Sequence, residues 1–458
     1  MKLTFYLLAA MLPVLFLLDS MVRLFLNRGS GLAIGERLVR WWGEERLFFA
    51  PLWARPRQKC GEWLAVAFLV LEFGWSPFTL LWTQLFPTLP QGGLEVGRSA
   101  VLCALVLAKV GVCTRFSGKQ LAAGMLVVVL GLLVAPNVGT YLENVCYPIC
   151  LIFLFKGVRL RGKLRVVLGI LLADLAVHAV LVFSGLIPDV WNWLEVGGRT
   201  ALGYGHPNVL GMAVLSIWAL YTALRYEKWR WWDTVLGLAA AVFLYAGPRS
   251  RAAFAVVLFM TALTAVSRQW PGLFRLRFCR ETAALCWPVL AAASLWMGAN
   301  YGRYAFLEKL NAWFSSRLFL LHQVLTGPGW HWFGRPTSGT MNWGNAYDLA
   351  AWQADAQAGL VNYNFVDNGY GFALYMGGPI FLAALLVGYW VLIRRLLSGA
   401  RADWGLAIVV IGYAFQCMME RTFVAFLPVI LLGNVVFGKS QERPLTLAPD
   451  APLKEDSI

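Results

Sequence analysis

Long apolar stretches separated by short polar segments run along most of the chain. After the apolar segment Leu3–Leu18 there are twelve, at about 63–85, 97–113, 119–136, 139–155, 166–187, 207–224, 234–247, 252–267, 281–299, 369–393, 405–419 and 422–438. A helix needs about 20 apolar residues to cross the hydrocarbon core of a bilayer. The pattern therefore predicts an all-α polytopic integral membrane protein with about 12–13 transmembrane helices. Several stretches are shorter than that, which indicates helices that end inside the bundle.

The composition agrees with a membrane protein and changes how the net charge is interpreted. Hydrophobic residues make up 59% of the chain, charged residues only 14%, and the mean hydropathy is +0.63. The formal charge of +15 could indicate nucleic-acid binding. However, the basic residues cluster between the apolar stretches, where they set topology and contact lipid headgroups. We therefore expect membrane lipid as a partner and no nucleic acid.

The position of the basic loops predicts which end of each helix faces the cytoplasm. The segments 156–165, 225–230, 268–280 and 394–401 are basic and are predicted to be cytoplasmic. The alternate loops, 136–139, 187–206, 247–251, 300–366 and 419–422, then face outward. The predicted regions are an N-terminal span with an interfacial basic segment (1–62), transmembrane helices (63–299 and 367–438), one long extracytoplasmic loop (300–366) and a disordered cytoplasmic tail (439–458).

Cysteine and histidine usage predicts neither a disulfide framework nor a metal site. The eight cysteines lie in or near apolar stretches and basic loops, and none lies in the segment 300–366. The four histidines are scattered and lack the spacing of a zinc-binding motif. We expect no metal and no cofactor.

Charged side chains in the outward loops are exceptions to the charge rule. They include Arg199 and His206 before the helix at 207, Arg249 and Arg251 in a tight turn, Arg317 and His322, and Glu420 and Arg421. Charge at this depth is costly and indicates function. Arginine binds phosphate through two hydrogen bonds and stays charged, so this set suits a polyanionic ligand. A lone arginine at a helix end is more often a membrane anchor, but Arg249 and Arg251 share one short turn.

Other polar residues leave two interpretations open. Asp174 and His178, spaced i,i+4 inside a span, would form either a structural bridge between helices or a proton relay. The segment 300–366 is rich in Trp, Tyr and Asn. Such residues are typical both of sugar binding and of a membrane interface.

Four motifs in order along residues 195–395 resemble the O-antigen ligase and polymerase superfamily. They are Arg199 followed by GYGHPNVLG, the turn Pro248–Ala252 (PRSRA), Ser316–Arg317 with GPGWHWFG at 327–334, and VDNGYGFALYMGGPIFLAALL at 366–386. Ligases of that family typically carry a histidine before the asparagine of the fourth motif, where this chain has Asp367. The departure favours the capsular or exopolysaccharide polymerase branch.

The resemblance implies a GT-C-like architecture in the bacterial cytoplasmic (inner) membrane, with the active site facing outward. It also implies a glycosyltransferase that uses an undecaprenyl-pyrophosphate-linked oligosaccharide as donor and the non-reducing end of another lipid-linked repeat as acceptor. A flippase and a chain-length regulator are the implied protein partners. Two alternatives stay open: a ligase that uses the same donor, and a transporter of polysaccharide or lipid-linked glycan.

We predict catalytic roles for two residues and substrate binding for seven. Asp367, or failing that His206, would accept the proton of the acceptor hydroxyl. The predicted substrate-binding residues are Arg199, Arg249, Arg251, Arg317, Asn208, Asn368 and Tyr370. The arginines would stabilise the developing charge of the pyrophosphate leaving group.

Overall fold

The computed structural model describes residues 34–47, 58–75, 78, 91–138, 143–189, 199–326, 331–334, 367–398, 402–423 and 425–438. The predicted first span, most of the long loop and the C-terminal tail lie outside these residues.

The described part of the chain is mostly helical, and each of the twelve apolar stretches overlaps a helix. In chain order the helices are α1 (Ile34–Gly43), α2 (Gln58–Phe73), α3 (Gln91–Ala108, continued by a π-helical turn Lys109–Cys113), α4 (Gly118–Val138), α5 (Glu143–Leu154), α6 (Leu160–Phe183), α7 (Pro207–Arg225, followed by the 3₁₀ turn Tyr226–Lys228), α8 (Trp231–Ala246), α9 (Arg251–Gln269), α10 (Pro271–Arg275), α11 (Arg277–Ala284), α12 (Cys286–Ala299), α13 (Ala305–Trp313), α14 (Arg317–Thr326), α15 (Gly369–Leu397), α16 (Trp404–Gln416) and α17 (Phe426–Val436). Two short strands, β1 (Arg46–Leu47) and β2 (Arg115–Phe116), pair antiparallel.

Among the described residues, fewer helices reach transmembrane length than there are apolar stretches in the sequence. In the described residues, α4, α6, α7, α9 and α15 are long and apolar enough to cross a membrane. The bent pair α11 and α12 adds a sixth span if it is counted as one, and α8, α16 and α17 are shorter apolar helices. Five or six helices of the described residues meet this criterion, and the total of 12–13 stays a prediction. The length and composition of these helices are those of a mostly helical, multi-pass membrane protein.

Helix α16 is the centre of the bundle. Its residues from Trp404 to Ala414 are buried, and it packs against α7, α9, α12, α15 and α17. A helix shielded from lipid on all sides has its polar backbone satisfied internally and does not need to match the bilayer thickness. This explains why the apolar stretch 405–419, which the hydropathy pattern predicts to cross the membrane, forms a helix of only 13 residues.

Ion pairs hold the ends of the helices that are rich in basic residues. At these ends Arg268 of α9 pairs with Glu227 in the turn after α7 (3.5 Å), and Arg394 of α15 pairs with Glu281 of α11 (3.2 Å). The C-terminal end of α15 also binds that of α17, where Arg395 donates to the carbonyl of Asn434 (2.6 Å). The candidate residues lie at the other ends of the same helices, which we call the arginine end of the bundle.

Candidate functional site

Four helices begin at the arginine end, each with a predicted site residue at or just before its first residue. His206 precedes α7, Arg251 begins α9, Arg317 begins α14, and Asn368 precedes α15. The free N–H groups and positive dipole ends of helix N-termini favour anions. The helix directions therefore reinforce the charge of the arginines.

The backbone in these loops is held in unusual conformations. The described residues other than glycine with positive φ are Leu202 (44°), Arg249 (50°), Ser315 (53°) and Ser316 (64°). All four lie in the loops that carry the candidate arginines. Such conformations are costly, persist only where surrounding structure enforces them, and are concentrated at functional sites.

The segment 199–206 before α7 is fastened by two aspartates. Asp189 accepts hydrogen bonds from the Thr200 hydroxyl (2.7 Å) and from the backbone N–H of Leu202 (2.7 Å). The hydroxyl of Tyr204 donates to Asp174 (2.8 Å), and its ring stacks on His178 at 3.8 Å between centroids. Burial and the hydrogen bond to Asp174 raise the pKa of Tyr204. Asp174 and His178 are buried in the C-terminal half of α6 and hold the loop through Tyr204, which favours the structural interpretation of this pair.

Arg199 is oriented by two hydrogen bonds. Its Nε donates to the carbonyl of Pro248 (2.9 Å) and its Nη2 donates to Asn208 Oδ1 (3.3 Å). Burial lowers the pKa of Arg199, and the guanidinium groups of Arg249, Arg251 and Arg317 lower it further. Arg249, Arg251 and Arg317 therefore lie close enough to Arg199 to act on its charge.

Close packing of α7 and α9 brings the 248–251 turn to this site. Ser250 lies directly against Gly211 of α7, where a Cβ would meet its hydroxyl. Arg251 donates to the carbonyls of Ala312 (3.3 Å) and Trp313 (3.1 Å) at the end of α13. These contacts fix the turn between three helices.

Arg317 is the most buried of the four arginines and joins two carboxylates. Its Nη2 lies 2.5 Å from Glu420 Oε1 and 3.6 Å from Asp367 Oδ2. Asp367 also lies 3.8 Å from Arg421 Nη2. The Nε of Arg317 is buried and has no hydrogen-bond partner among the described residues. We call Asp367 and Glu420 the carboxylate pair.

His206 faces the same cluster but is used as a helix cap. Its Nδ1 accepts the backbone N–H of Asn208 (3.0 Å). Burial lowers the pKa of His206; Arg199 and Arg317 lower it further, while Asp367 opposes them. In the neutral ring the proton is then on Nε2, which can donate a hydrogen bond but cannot accept a proton. This geometry argues against His206 as the general base.

Asn368 and Tyr370, which the sequence predicts as substrate ligands, both lie in the packed core. Asn368 is 1% exposed and uses its whole amide: Nδ2 donates to Ser294 Oγ (2.6 Å) and to the carbonyl of Met418 (2.7 Å), and Oδ1 accepts from the N–H of Gly371. Tyr370 is fully buried and donates to the carbonyl of Ala414 (2.8 Å). Asn368 caps the N-terminus of α15, and the buried hydroxyl of Tyr370 ties the first turn of α15 to α16. Both residues therefore position the start of α15.

The sequence motif that names Asp367 gave no reason to include Glu420 in the catalytic set. The sequence places Glu420 in an outward turn, but only the folded chain sets it against Arg317, more than 100 residues away. Charge at an outward turn was the one signal that pointed to it.

Comparison with protein-family models, with curated proteins and with solved structures finds no match for this chain. The site therefore consists of four arginines and Asp367 near the N-termini of α7, α9, α14 and α15, with Glu420 and Arg421 in the turn that follows α16.

Proposed function

We propose that this protein is a polysaccharide polymerase that transfers a glycan from an undecaprenyl-pyrophosphate donor to a sugar hydroxyl of another lipid-linked repeat on the outer leaflet. The observation that carries the proposal is the cluster of Arg199, Arg249, Arg251 and Arg317 at helix N-termini. Guanidinium groups and helix N-termini are the groups that bind a pyrophosphate. The order of the four motifs along the chain supports a glycosyl-transfer role for this anion site.

The arginines would act mainly on the leaving group. As the bond between the anomeric carbon and the pyrophosphate oxygen breaks, negative charge develops on that oxygen. Donors that are already oriented stabilise this charge without reorganising. Arg199 is oriented by the carbonyl of Pro248 and the side chain of Asn208. His206 would add an Nε2–H donor, and Asn208 would act through Arg199 rather than by contacting the substrate.

The proton of the acceptor hydroxyl would pass to the carboxylate pair. Its motif predicts Asp367 for this role. Asp367 and Glu420 both form ion pairs with Arg317. A carboxylate in a mostly buried site can serve as a general base. The acceptor oxygen then attacks the anomeric carbon, and the lipid pyrophosphate leaves with the electron pair of the broken bond.

The test is transfer by purified protein in liposomes supplied with a lipid-linked repeat unit. We expect a ladder of products that differ by one repeat. Arg199→Ala should reduce the rate about 100- to 1000-fold, as loss of one transition-state donor does. Glu308→Gln changes an exposed charge in α13 and serves as the control, with the wild-type rate expected.

Cells that lack the protein distinguish this proposal from the alternatives. A polymerase predicts surface glycan with single repeats still attached and no long chains. Free polymer that is not attached would indicate a ligase. Wild-type protein that moves the lipid-linked glycan across the bilayer without forming a glycosidic bond would contradict the proposal in favour of a transporter.

A further inference from the structure

The carboxylate pair shares one cation, which is also a predicted ligand of the donor. Arg317 Nη2 is within hydrogen-bond distance of Glu420 and within ion-pair distance of Asp367. The side chains of Asp367 and Glu420 are only 20% and 19% exposed. Two mostly buried like charges on one guanidinium depend strongly on that guanidinium for their stability.

Glu420 is held rigidly against the start of α15. Its backbone N–H donates to the carbonyl of Gln416 (2.8 Å) and its carbonyl accepts from Thr422 (2.9 Å). Gly369 packs directly on that carbonyl, where a Cβ would lie 2.8 Å from the oxygen. The Asn368 side chain binds the neighbouring carbonyl of Met418. The backbone of Glu420 is therefore fixed at the start of α15, so that its carboxylate can follow the guanidinium of Arg317 only through rotation of the side chain.

Three charged groups act on Glu420. Arg317 on α14 and Arg421 in the same turn favour its ionised form, and Asp367 before α15 disfavours it. Beyond them, Arg199 lies near enough to Arg317 to act on its charge, and His206 lies near both Asp367 and Arg317. The neighbouring Cys417 thiol stays neutral because burial raises its pKa to about 12.

We propose that Glu420 is the general base for the acceptor hydroxyl, and that the donor pyrophosphate activates it by drawing Arg317 away from its carboxylate. This inference rests on the proposed function and names the reacting group within that site. Glu420 accepts the hydroxyl proton, the acceptor oxygen bonds to the anomeric carbon, and the lipid pyrophosphate leaves with the electron pair.

Asp367 is less suited to the same step. It lies between two arginines, Arg317 and Arg421, so that it keeps a cationic partner when Arg317 moves. Glu420 has its direct ion pair with Arg317 alone among the pairs of the described residues. Burial is the main cause that raises the pKa of Glu420 to about 7, close to the range in which a general base is most effective.

The experiment compares pH profiles of Glu420→Gln, Glu420→Asp and Asp367→Asn in the liposome transfer assay, with Glu308→Gln as the control. A base must be deprotonated, so the wild-type rate should fall as the pH drops below about 7. This acid limb of the pH profile should lie at higher pH when donor is saturating, because loss of its cation raises the pKa of Glu420. We expect Glu420→Gln to lose about 100- to 10,000-fold in rate, together with the acid limb, and Glu420→Asp to recover part of both.

The KM for donor, read together with the pH profile, distinguishes a general base from a counter-ion of Arg317. If Glu420→Gln keeps the acid limb and changes only the KM for donor, Glu420 is a counter-ion of Arg317 and the inference is wrong. If Asp367→Asn abolishes the limb while Glu420→Gln keeps it, the base is Asp367. Both results leave the proposed function intact, whereas a wild-type protein that transfers no glycan contradicts that function itself.

Discussion

Individual side chains at the arginine end have two kinds of role. Arg199, Arg317 and Glu420 present charged groups to the site, whereas Asn368 and Tyr370 use all their polar atoms on the protein. Residue type alone does not distinguish the two kinds, because an asparagine at a helix start can bind either a ligand or a backbone N–H. The motif at 366–386 thus predicts the helix that begins at Gly369, whereas the contacts of Asn368 and Tyr370 appear only in the folded chain.

Removing the cation from the carboxylate pair should destabilise the fold as well as the activity. Arg317→Met leaves Asp367 and Glu420 without their shared partner, a type of change that costs about 3–5 kcal/mol in buried ion pairs. We expect a lower Tm in detergent and loss of transfer. Adding Glu420→Gln should restore part of the Tm but none of the activity. A double variant no more stable than Arg317→Met would show that the pair does not depend on Arg317.

The anchor of the 199–206 segment can be tested by removing one hydroxyl. Tyr204→Phe keeps the ring that stacks on His178 but leaves the buried Asp174 without this hydrogen bond. The expected loss is about 1–3 kcal/mol, seen as a lower Tm, with a smaller effect on the rate through Arg199. Tyr245→Phe, at a tyrosine that is 65% exposed, should leave the Tm unchanged. An equal effect of the two variants would contradict the anchoring role.

At the scale of elements, contacts between helices decide which loops meet. Residues 199–206 and 248–251 come together because α7 packs on α9 without a side chain at Gly211. A small residue in a membrane helix allows this approach. The sequence shows Gly211, but it does not show that Ser250 is what fills the space.

Gly211→Ala tests this contact. The added methyl group would meet Ser250 and push the 248–251 turn away from Arg199. We expect weaker binding of the donor, with transfer reduced at least 10-fold in the liposome assay. Gly169→Ala is the matched control, because Gly169 lies in α6 with no atom within 4 Å of its would-be Cβ. Equal activity of the two variants would show that the α7–α9 contact does not position the turn.

At the scale of the whole molecule, the charges divide between the two ends of the bundle. One end has the ion pairs of Arg268 and Arg394, and the other has the five arginines and two carboxylates of the site. The basic segments 156–165, 225–230, 268–280 and 394–401 belong to the end that has Arg268 and Arg394, so the positive-inside rule predicts that the arginine end faces outward.

Labelling with a membrane-impermeant maleimide checks this orientation. Glu308→Cys in α13 and Lys228→Cys in the turn after α7 place exposed thiols at opposite ends. In intact cells the thiol at position 308 should react above the wild-type background. The thiol at 228 should react only after permeabilisation. The reverse pattern would place the site in the cytoplasm and remove the proposed substrate.

The sequence by itself determined the membrane class, the helix at each of the twelve apolar stretches and the loops that carry the arginines. These follow from hydropathy and charge, which act locally along the chain. Only the tertiary structure decided that α16 is a buried central helix, that Asn368 and Tyr370 form hydrogen bonds in the core at the start of α15, and that Glu420 and Asp367 share Arg317. Such outcomes depend on packing between residues far apart in the chain, and a one-dimensional pattern does not contain them.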